Sequence, residues 1–383
     1  MIDIITQKYD RKLLTYLLIL IIVGTIMLYS ASWYESFTNS NGKTDMLYLK
    51  NHLKRLLIGF LFLFGFLTYD YRKLKNIAPY LIIFTILLLI LTKIYYLFNG
   101  HSWYKPSRWL YIGPFSLQTS DVARFSVIIF MAYYADKKRT LITEFYTGLL
   151  PSLTILIIIM GLIIIQPDYS TAIMIGIIGI VILFIGGAKI QHLSLSGAIG
   201  LLIGIPILLS REYRKKRILS FFGFDDSADI GYQANQSLIS LGNGGIFGVG
   251  LGNSIEKNHF LPTPHTDFIF AIIGEELGFL IGTIPILTLF LLIFLRGLKI
   301  AKNSTDPFAV LLSVGISFNL ILYAFVNAAV VTGLFPVTGL PMPMISYGGS
   351  GMIVNLALIG ILLNISEAKK AIGQKKWSPI LHG

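Results

Sequence analysis

The sequence predicts an all-α, polytopic membrane protein of about ten transmembrane helices, and three observations lead there. Of its 383 residues, 55% are hydrophobic and only 13% charged, with a mean hydropathy of +0.73. A soluble domain carries about 25% charged residues, so this chain cannot cover a water-facing surface. Second, the apolar residues come in blocks near the roughly 20 residues that span hydrocarbon. Third, the Lys and Arg residues behind the net charge of +12 gather at the ends of those blocks. That is the pattern of cytoplasmic loops and anionic headgroups, not of a nucleic-acid-binding face. The chain has no Cys, which excludes disulfides and thiolate metal sites.

The blocks run over residues 13–29, 53–67, 77–98, 120–135, 146–165, 170–186, 192–210, 268–295, 308–331 and 349–364. The first lacks a small-residue cleavage site and reads as a retained helix. The fourth and last are short and read as tilted or partly immersed. Placing the N-terminus in the cytoplasm puts most basic clusters on one side: Lys8, Arg11 and Lys12, then Arg72, Lys73 and Lys75, then Lys137 to Arg139. Lys189, Arg296, Lys299, Lys302 and the tail Lys369, Lys370, Lys375 and Lys376 follow. Arg211, Arg214, Lys215, Lys216 and Arg217 oppose this assignment, but they open a long segment, where charge bias is weak. The polar segments 31–52, 99–119 (with Trp103, Lys105, Arg108 and Trp109), 211–267 and 332–348 then all face outward. The whole of 1–383 reads as a single integral membrane domain with a large outer loop at about 211–267. Its halves show no inverted repeat of the kind many transporters carry.

Several polar groups sit where an apolar chain carries them at a cost. Asp267 stands where the long outer loop enters block eight. It either caps that helix or serves as a general base at the lip of a cavity. Glu275 and Glu276 lie inside the same span, where ionisable groups are costly and usually functional, and Glu275 roughly shares a face with Asp267. Gly242, Gly244, Gly245, Gly248, Gly250 and Gly252 crowd the stretch before it. With no preceding strand and no GxxxxGK[ST] they are not a nucleotide loop; the reading is tight folding with some ligand contact. Thr119 or Ser120 can cap block four, and Asp121 and Arg124 are spaced to pair. Gln166-Pro167-Asp168 reads as a turn between two spans, and Asn319 and Asn327 as bonds between helices. The six His residues show no metal-binding spacing; His265, beside Asp267, reads as a surface or supporting group.

Ordered motifs along nearly the whole chain resemble the SEDS family of bacterial cell-wall membrane proteins, which includes FtsW, SpoVE and RodA. They are Leu28-Tyr29-Ser30-Ala31-Ser32, Tyr69-Asp70-Tyr71-Arg72, Arg108-Trp109-Leu110 with Gly113 to Gln118, and Gln166-Pro167-Asp168. Gly231-Tyr232-Gln233, His265-Thr266-Asp267-Phe268-Ile269-Phe270-Ala271 with Gly274-Glu275-Glu276, Val331-Thr332-Gly333, Pro336 to Pro341 and Ile345 to Ser350 complete them. Gly252-Asn253-Ser254 with Lys257 and the ending Leu363-Asn364-Ile365-Ser366 look like the FtsW and SpoVE type.

The resemblance implies a peptidoglycan glycosyltransferase that polymerises lipid II at the outer face of the bacterial cytoplasmic membrane, for cell division or cell shape. It implies a class B penicillin-binding protein, a transpeptidase, as partner, with membrane lipid around it and no nucleic acid. The family's essential aspartate falls on Asp267, as catalytic base. The expected substrate-binding residues are Arg108, Trp109, Asp121, Arg124, Gln166, Asp168, His265, Thr266, Glu275, Ser346 and Tyr347. Arg124, Arg108 and one of Arg211 or Arg214 are candidates to meet a pyrophosphate, alone or with a divalent cation such as Mg or Mn. Four positions depart from the family pattern: Thr263 replaces Glu, Asp121 with Arg124 replaces Glu with Lys, and Tyr323 replaces Gln. The competing readings are a lipid II flippase, drawing on ionisable groups in the spans, and a scaffold that recruits and activates the transpeptidase.

Overall fold

The computed structural model describes residues 9–99, 107–113, 115–222, 228–258 and 260–371. Lys8, Trp103, Lys105, Lys375 and Lys376 lie outside them. Every apolar block folds as helix. They are α1 (Arg11–Asn39), α2 (Leu47–Thr68), α3 (Leu74–Phe98), α4 (Thr119–Lys137), α5 (Leu150–Ile165), α6 (Tyr169–Ile185) and α7 (Ile190–Leu209). After the short helices α8 (Glu212–Phe221) and α9 (Ala228–Gly244) come α10 (Ile269–Gly278), α11 (Ile284–Lys302), α12 (Pro307–Val331) and α13 (Ser350–Ala371).

Among the described residues, eight helical stretches are long and apolar enough to cross a membrane, counting α10 and α11 as one stretch. Helices α4 and α6 complete the ten blocks. The fourth block is longer than its apolar stretch: α4 takes in a polar first turn and reaches 19 residues, about 29 Å at 1.5 Å per residue. α13 is likewise longer than its block, at 22 residues.

Local chemistry sets several helix starts. The Asp10 carboxylate accepts from the Leu13 amide at 3.0 Å, and Asp306 accepts from the Phe308 amide at 3.2 Å ahead of Pro307, a side-chain cap followed by a proline in the first turn. Thr119 and Ser120 do not cap α4; Gln118 holds that position with no side-chain cap. Helix α12 runs through the middle of the bundle, with 72% of its apolar window buried, whereas α7 stands at the edge with 6%. Leu201, Leu202 and Ile203 on α7 are accordingly exposed, as suits a lipid-facing surface.

The ends assemble as the charge alternation requires. At one end Arg296 pairs with Asp10, and Lys75 bridges Asp136 at 2.8 Å and Asp306 at 3.2 Å. There too Asn364 accepts from the Tyr71 amide and donates to the Leu67 carbonyl. The opposite end carries the polar connections. One of them holds a β-hairpin that an all-helical reading does not foresee: β1 (Trp109–Ile112) antiparallel to β2 (Phe115–Gln118), with Gly113 at φ 59° in the turn.

The described part of the long segment 211–267 is partly helical, through α8 and α9. Its glycine-rich stretch is pinned to α10 by backbone bonds: the Val249 and Gly250 amides donate to the Glu275 and Glu276 carbonyls, and Phe279 and Leu280 donate to Gly245 and Ile246. Gly248 has φ 81°, and a Cβ there would lie 2.3 Å from the Glu276 carbonyl oxygen. The glycines therefore serve backbone-to-backbone packing. The 332–349 segment folds back into the bundle. Met342, Met344 and Ile345 are buried, and Gly24 on α1 admits the Met344 carbonyl, which a Cβ would meet at 2.8 Å. Irregular backbone is tolerated at such depth when protein surrounds it, and here the Ser346 hydroxyl and the Met342 carbonyl satisfy neighbouring amides.

Candidate active site

A cavity of about 420 Å³ opens at the polar end, between the hairpin, α4, α12, α13 and the 339–349 segment. The hairpin supplies one wall by strand alternation. Trp109 pairs with Gln118 and Tyr111 with Ser116, so all four project from one face, and all four line the cavity.

Asp267 and Thr266 lie on the cavity wall. The capping reading of Asp267 does not hold: Phe268 takes the N-cap position of α10 without a side-chain bond. The Asp267 carboxylate instead accepts from the Thr266 hydroxyl at 2.7 Å and the Thr263 hydroxyl at 3.3 Å. Its own backbone is anchored from α12. The Asn327 side-chain amide donates to the Asp267 carbonyl at 2.7 Å and to the Leu340 carbonyl at 2.8 Å. One buried side chain thus fixes the Asp267 segment and the 339–349 segment to a central helix.

Positive charge surrounds the same space. Arg124 donates to Asp121 at 3.1 Å and lies over the Tyr323 ring at 4.5 Å; the Ser350 hydroxyl donates to the other Asp121 oxygen. Two of the departing positions, Arg124 and Tyr323, are therefore packed against each other. Arg55, on α2, stacks over Tyr347 at 4.6 Å and reaches the Gly348 carbonyl. Arg108 is the least committed, about one-third exposed and 3.5 Å from Asp168. Three guanidinium groups face Asp121 and Asp267 in the cavity wall. Arg214 sits on the Tyr169 ring, and neither it nor Arg211 is in the cavity lining.

Of the expected substrate residues, Arg108, Trp109, Asp121, Arg124, Thr266, Ser346 and Tyr347 line the cavity. Gln166, Asp168, His265 and Glu275 do not. Gln166 and Asp168 form the turn between α5 and α6 and support the wall from behind. Asp168 accepts from Ser120, Gln118 and Arg108, while Gln166 accepts from Thr119 and donates to the Leu89 carbonyl. His265 is buried against Glu35. Glu275 is 1% exposed, bound by the Ser240 and Ser254 hydroxyls and the Ile255 amide. Beside it Glu276 pairs with Lys257 at 2.7 Å and accepts from Ser30. These two carboxylates secure the glycine-rich segment, and none of its glycines lines the cavity. Burial, and then the neighbouring Glu275 carboxylate, push the Glu256 carboxyl up from its ordinary value. Arg55, Asn327 and Glu35 were not foreseen as site residues. Arg55 carried a signal as a cation near the start of a span, and Asn327 one as an amide inside a span.

Fold and cavity define a class: a multi-pass helical membrane protein with a polar cavity at one end, where a carboxylate shares the wall with three arginines. The chain belongs to the FtsW/RodA/SpoVE family of cell cycle proteins, whose sequence profile matches residues 11–371. It is 36% identical over 365 residues to the probable peptidoglycan glycosyltransferase FtsW of Geobacter sulfurreducens, covering 95% of this chain and 96% of that one. It is 37% identical over 366 residues to the stage V sporulation protein E of Bacillus subtilis, covering 94% and 97%. A solved chain from a peptidoglycan synthase complex, described as coordinating polymerization and crosslinking, superposes with a TM-score of 0.76 at 26% identity, covering 94% and 98%. The rod shape determining protein RodA of Thermus thermophilus superposes with a TM-score of 0.67 at 25% identity, covering 96% and 98%.

Proposed function

We propose that this chain is a peptidoglycan glycosyltransferase that polymerises lipid II into glycan strands, working with a class B penicillin-binding protein. The observation that carries the reading is Asp267 on the wall of a cavity shared with Arg55, Arg108 and Arg124. Sugar transfer needs a base for the acceptor hydroxyl and positive charge for the departing pyrophosphate. Asp267 takes the hydroxyl proton as that oxygen bonds to the anomeric carbon. The bond from that carbon to the pyrophosphate oxygen breaks, and the arginines receive the charge. Arg108, about one-third exposed, is suited to meet the phosphate by a two-pronged contact.

The cavity faces outward, because the basic turns gather at the other end and positive loops stay in the cytoplasm. The whole of 1–383 acts as one membrane-integral domain, with 211–267 on the cavity side. Among the described residues no group of three His, Asp or Glu could hold a metal. Asp267 or Asp121 would hold a divalent cation such as Mg or Mn, which would help to neutralise the departing pyrophosphate.

Purified chain in liposomes with labelled lipid II, with and without the transpeptidase, tests the proposal. Wild type should form glycan strands, and Asp267→Ala and Asp267→Asn should not. Polymer from Asp267→Ala would remove that residue from the role. Transfer of lipid II across the bilayer without polymer would favour a flippase instead. Loss of polymer on adding chelator would assign the cation.

A further inference from the structure

We propose that Glu35, near the end of α1, is a positioning residue that sets the Asp267 carboxylate through His265. The inference rests on Asp267 being the base.

The His265 Nδ1 and Glu35 Oε2 atoms meet at 2.7 Å. Both atoms are shut off from solvent, and neither makes a well-formed hydrogen bond in this structure. An imidazole nitrogen and a carboxylate oxygen so placed are polar counterparts, and removing Glu35 leaves the buried His265 Nδ1 without that neighbour. The imidazole has little freedom to turn away. The Tyr48 ring covers it at 4.3 Å, and the Tyr347 ring meets it edge-on at 5.5 Å. Its backbone carbonyl accepts from the Tyr347 amide at 2.8 Å.

His265 is two residues from Asp267, within a tight turn closed by the Thr266 amide donating to the Thr263 carbonyl. The intervening Thr266 hydroxyl holds the Asp267 carboxylate. A shift of the His265 backbone therefore carries Thr266 and Asp267 with it. Neither Glu35 nor His265 lines the cavity, so neither is placed to touch substrate, and an effect on chemistry must pass through that turn. Arg55 and Tyr347, which do line it, close the same cluster from the other side.

The test is steady-state polymerisation by the full chain with its transpeptidase partner and labelled lipid II. Glu35→Ala should lower kcat by about tenfold or more, since sub-ångström misplacement of a reacting group is costly, and leave KM nearly unchanged. Glu35→Gln, which keeps a polar group of the same size against His265 Nδ1, should recover most of the rate. Glu35→Ala combined with His265→Ala should be no slower than His265→Ala alone, because both act on one element. Wild-type kcat in folded Glu35→Ala, or losses that multiply in the double variant, overturns the proposal. Should Glu35→Ala not fold, Glu35→Gln compared with the similarly sized Glu35→Met decides the same question: equal rates would overturn it. An active Asp267→Ala sinks the base assignment itself; an inactive one beside an unimpaired Glu35→Ala sinks only the role of Glu35.

Discussion

Replacing Asn327 with alanine should slow glycan polymerisation more than any change to the cavity's apolar wall. The side chain is 1% exposed and donates two short hydrogen bonds, to Asp267 at 2.7 Å and Leu340 at 2.8 Å. Alanine leaves both carbonyls facing a void, and an unsatisfied buried polar group costs about 1–3 kcal/mol. The folded form loses roughly 2–6 kcal/mol unless the two segments shift to find other donors. A shift is the cheaper outcome, and it moves the carboxylate. A displacement near 1 Å costs on the order of 100-fold in rate, about 2.7 kcal/mol of transition-state stabilisation. Asn327→Asp keeps the shape but sets a carboxylate against two carbonyl oxygens, so it should lose at least as much. The assay is initial rate of strand formation from labelled lipid II, with a thermal melt in the same detergent to confirm folding. Folded Asn327→Ala and Asn327→Asp proteins that both polymerise at the wild-type rate would refute the anchoring argument.

Other consequences follow from the buried carboxylates. Lys257→Met should lower stability by about 3–5 kcal/mol, because it breaks a buried ion pair and leaves Glu276 in a dry site with only the Ser30 hydroxyl beside it. Adding Glu276→Gln should restore much of the loss, read as melting temperature in detergent. Glu256 is held protonated above its ordinary range by burial and by Glu275. The folded state then binds more protons than the unfolded one, so stability falls as pH rises from the ordinary value of 4.5 towards the raised one. Glu256→Gln should melt higher than wild type at neutral pH, and that advantage should vanish below pH 4.5. An unchanged melting difference across this range would contradict the shift.

The positions of the helices are written locally. A run of apolar residues becomes helix because hydrocarbon leaves the backbone no other partner, so all ten blocks appear where the composition puts them. The alternation of basic clusters likewise foretold which connections share an end, as Lys75 with Asp306 and Asp10 with Arg296 bear out. The pairing of Asp121 with Arg124 needed only one helical turn. The hairpin, by contrast, hides in two four-residue strands too short to show a period.

What a polar side chain faces is not local, and here the sequence stops. Asp267 looked fit to cap a helix; its place on the cavity wall is set by Asn327, 60 residues away, and by a turn of threonines. Glu275 looked like a cavity residue on the same helix face, yet α9 and the returning glycine segment close over it. The sequence by itself determined the spans, their order across the bilayer and the family motifs, because apolarity and charge act on each segment separately. Only the tertiary structure decided which carboxylates meet the cavity and which are locked beneath it. That choice depends on how helices rotate against one another and where distant segments fold back, and no single segment encodes it.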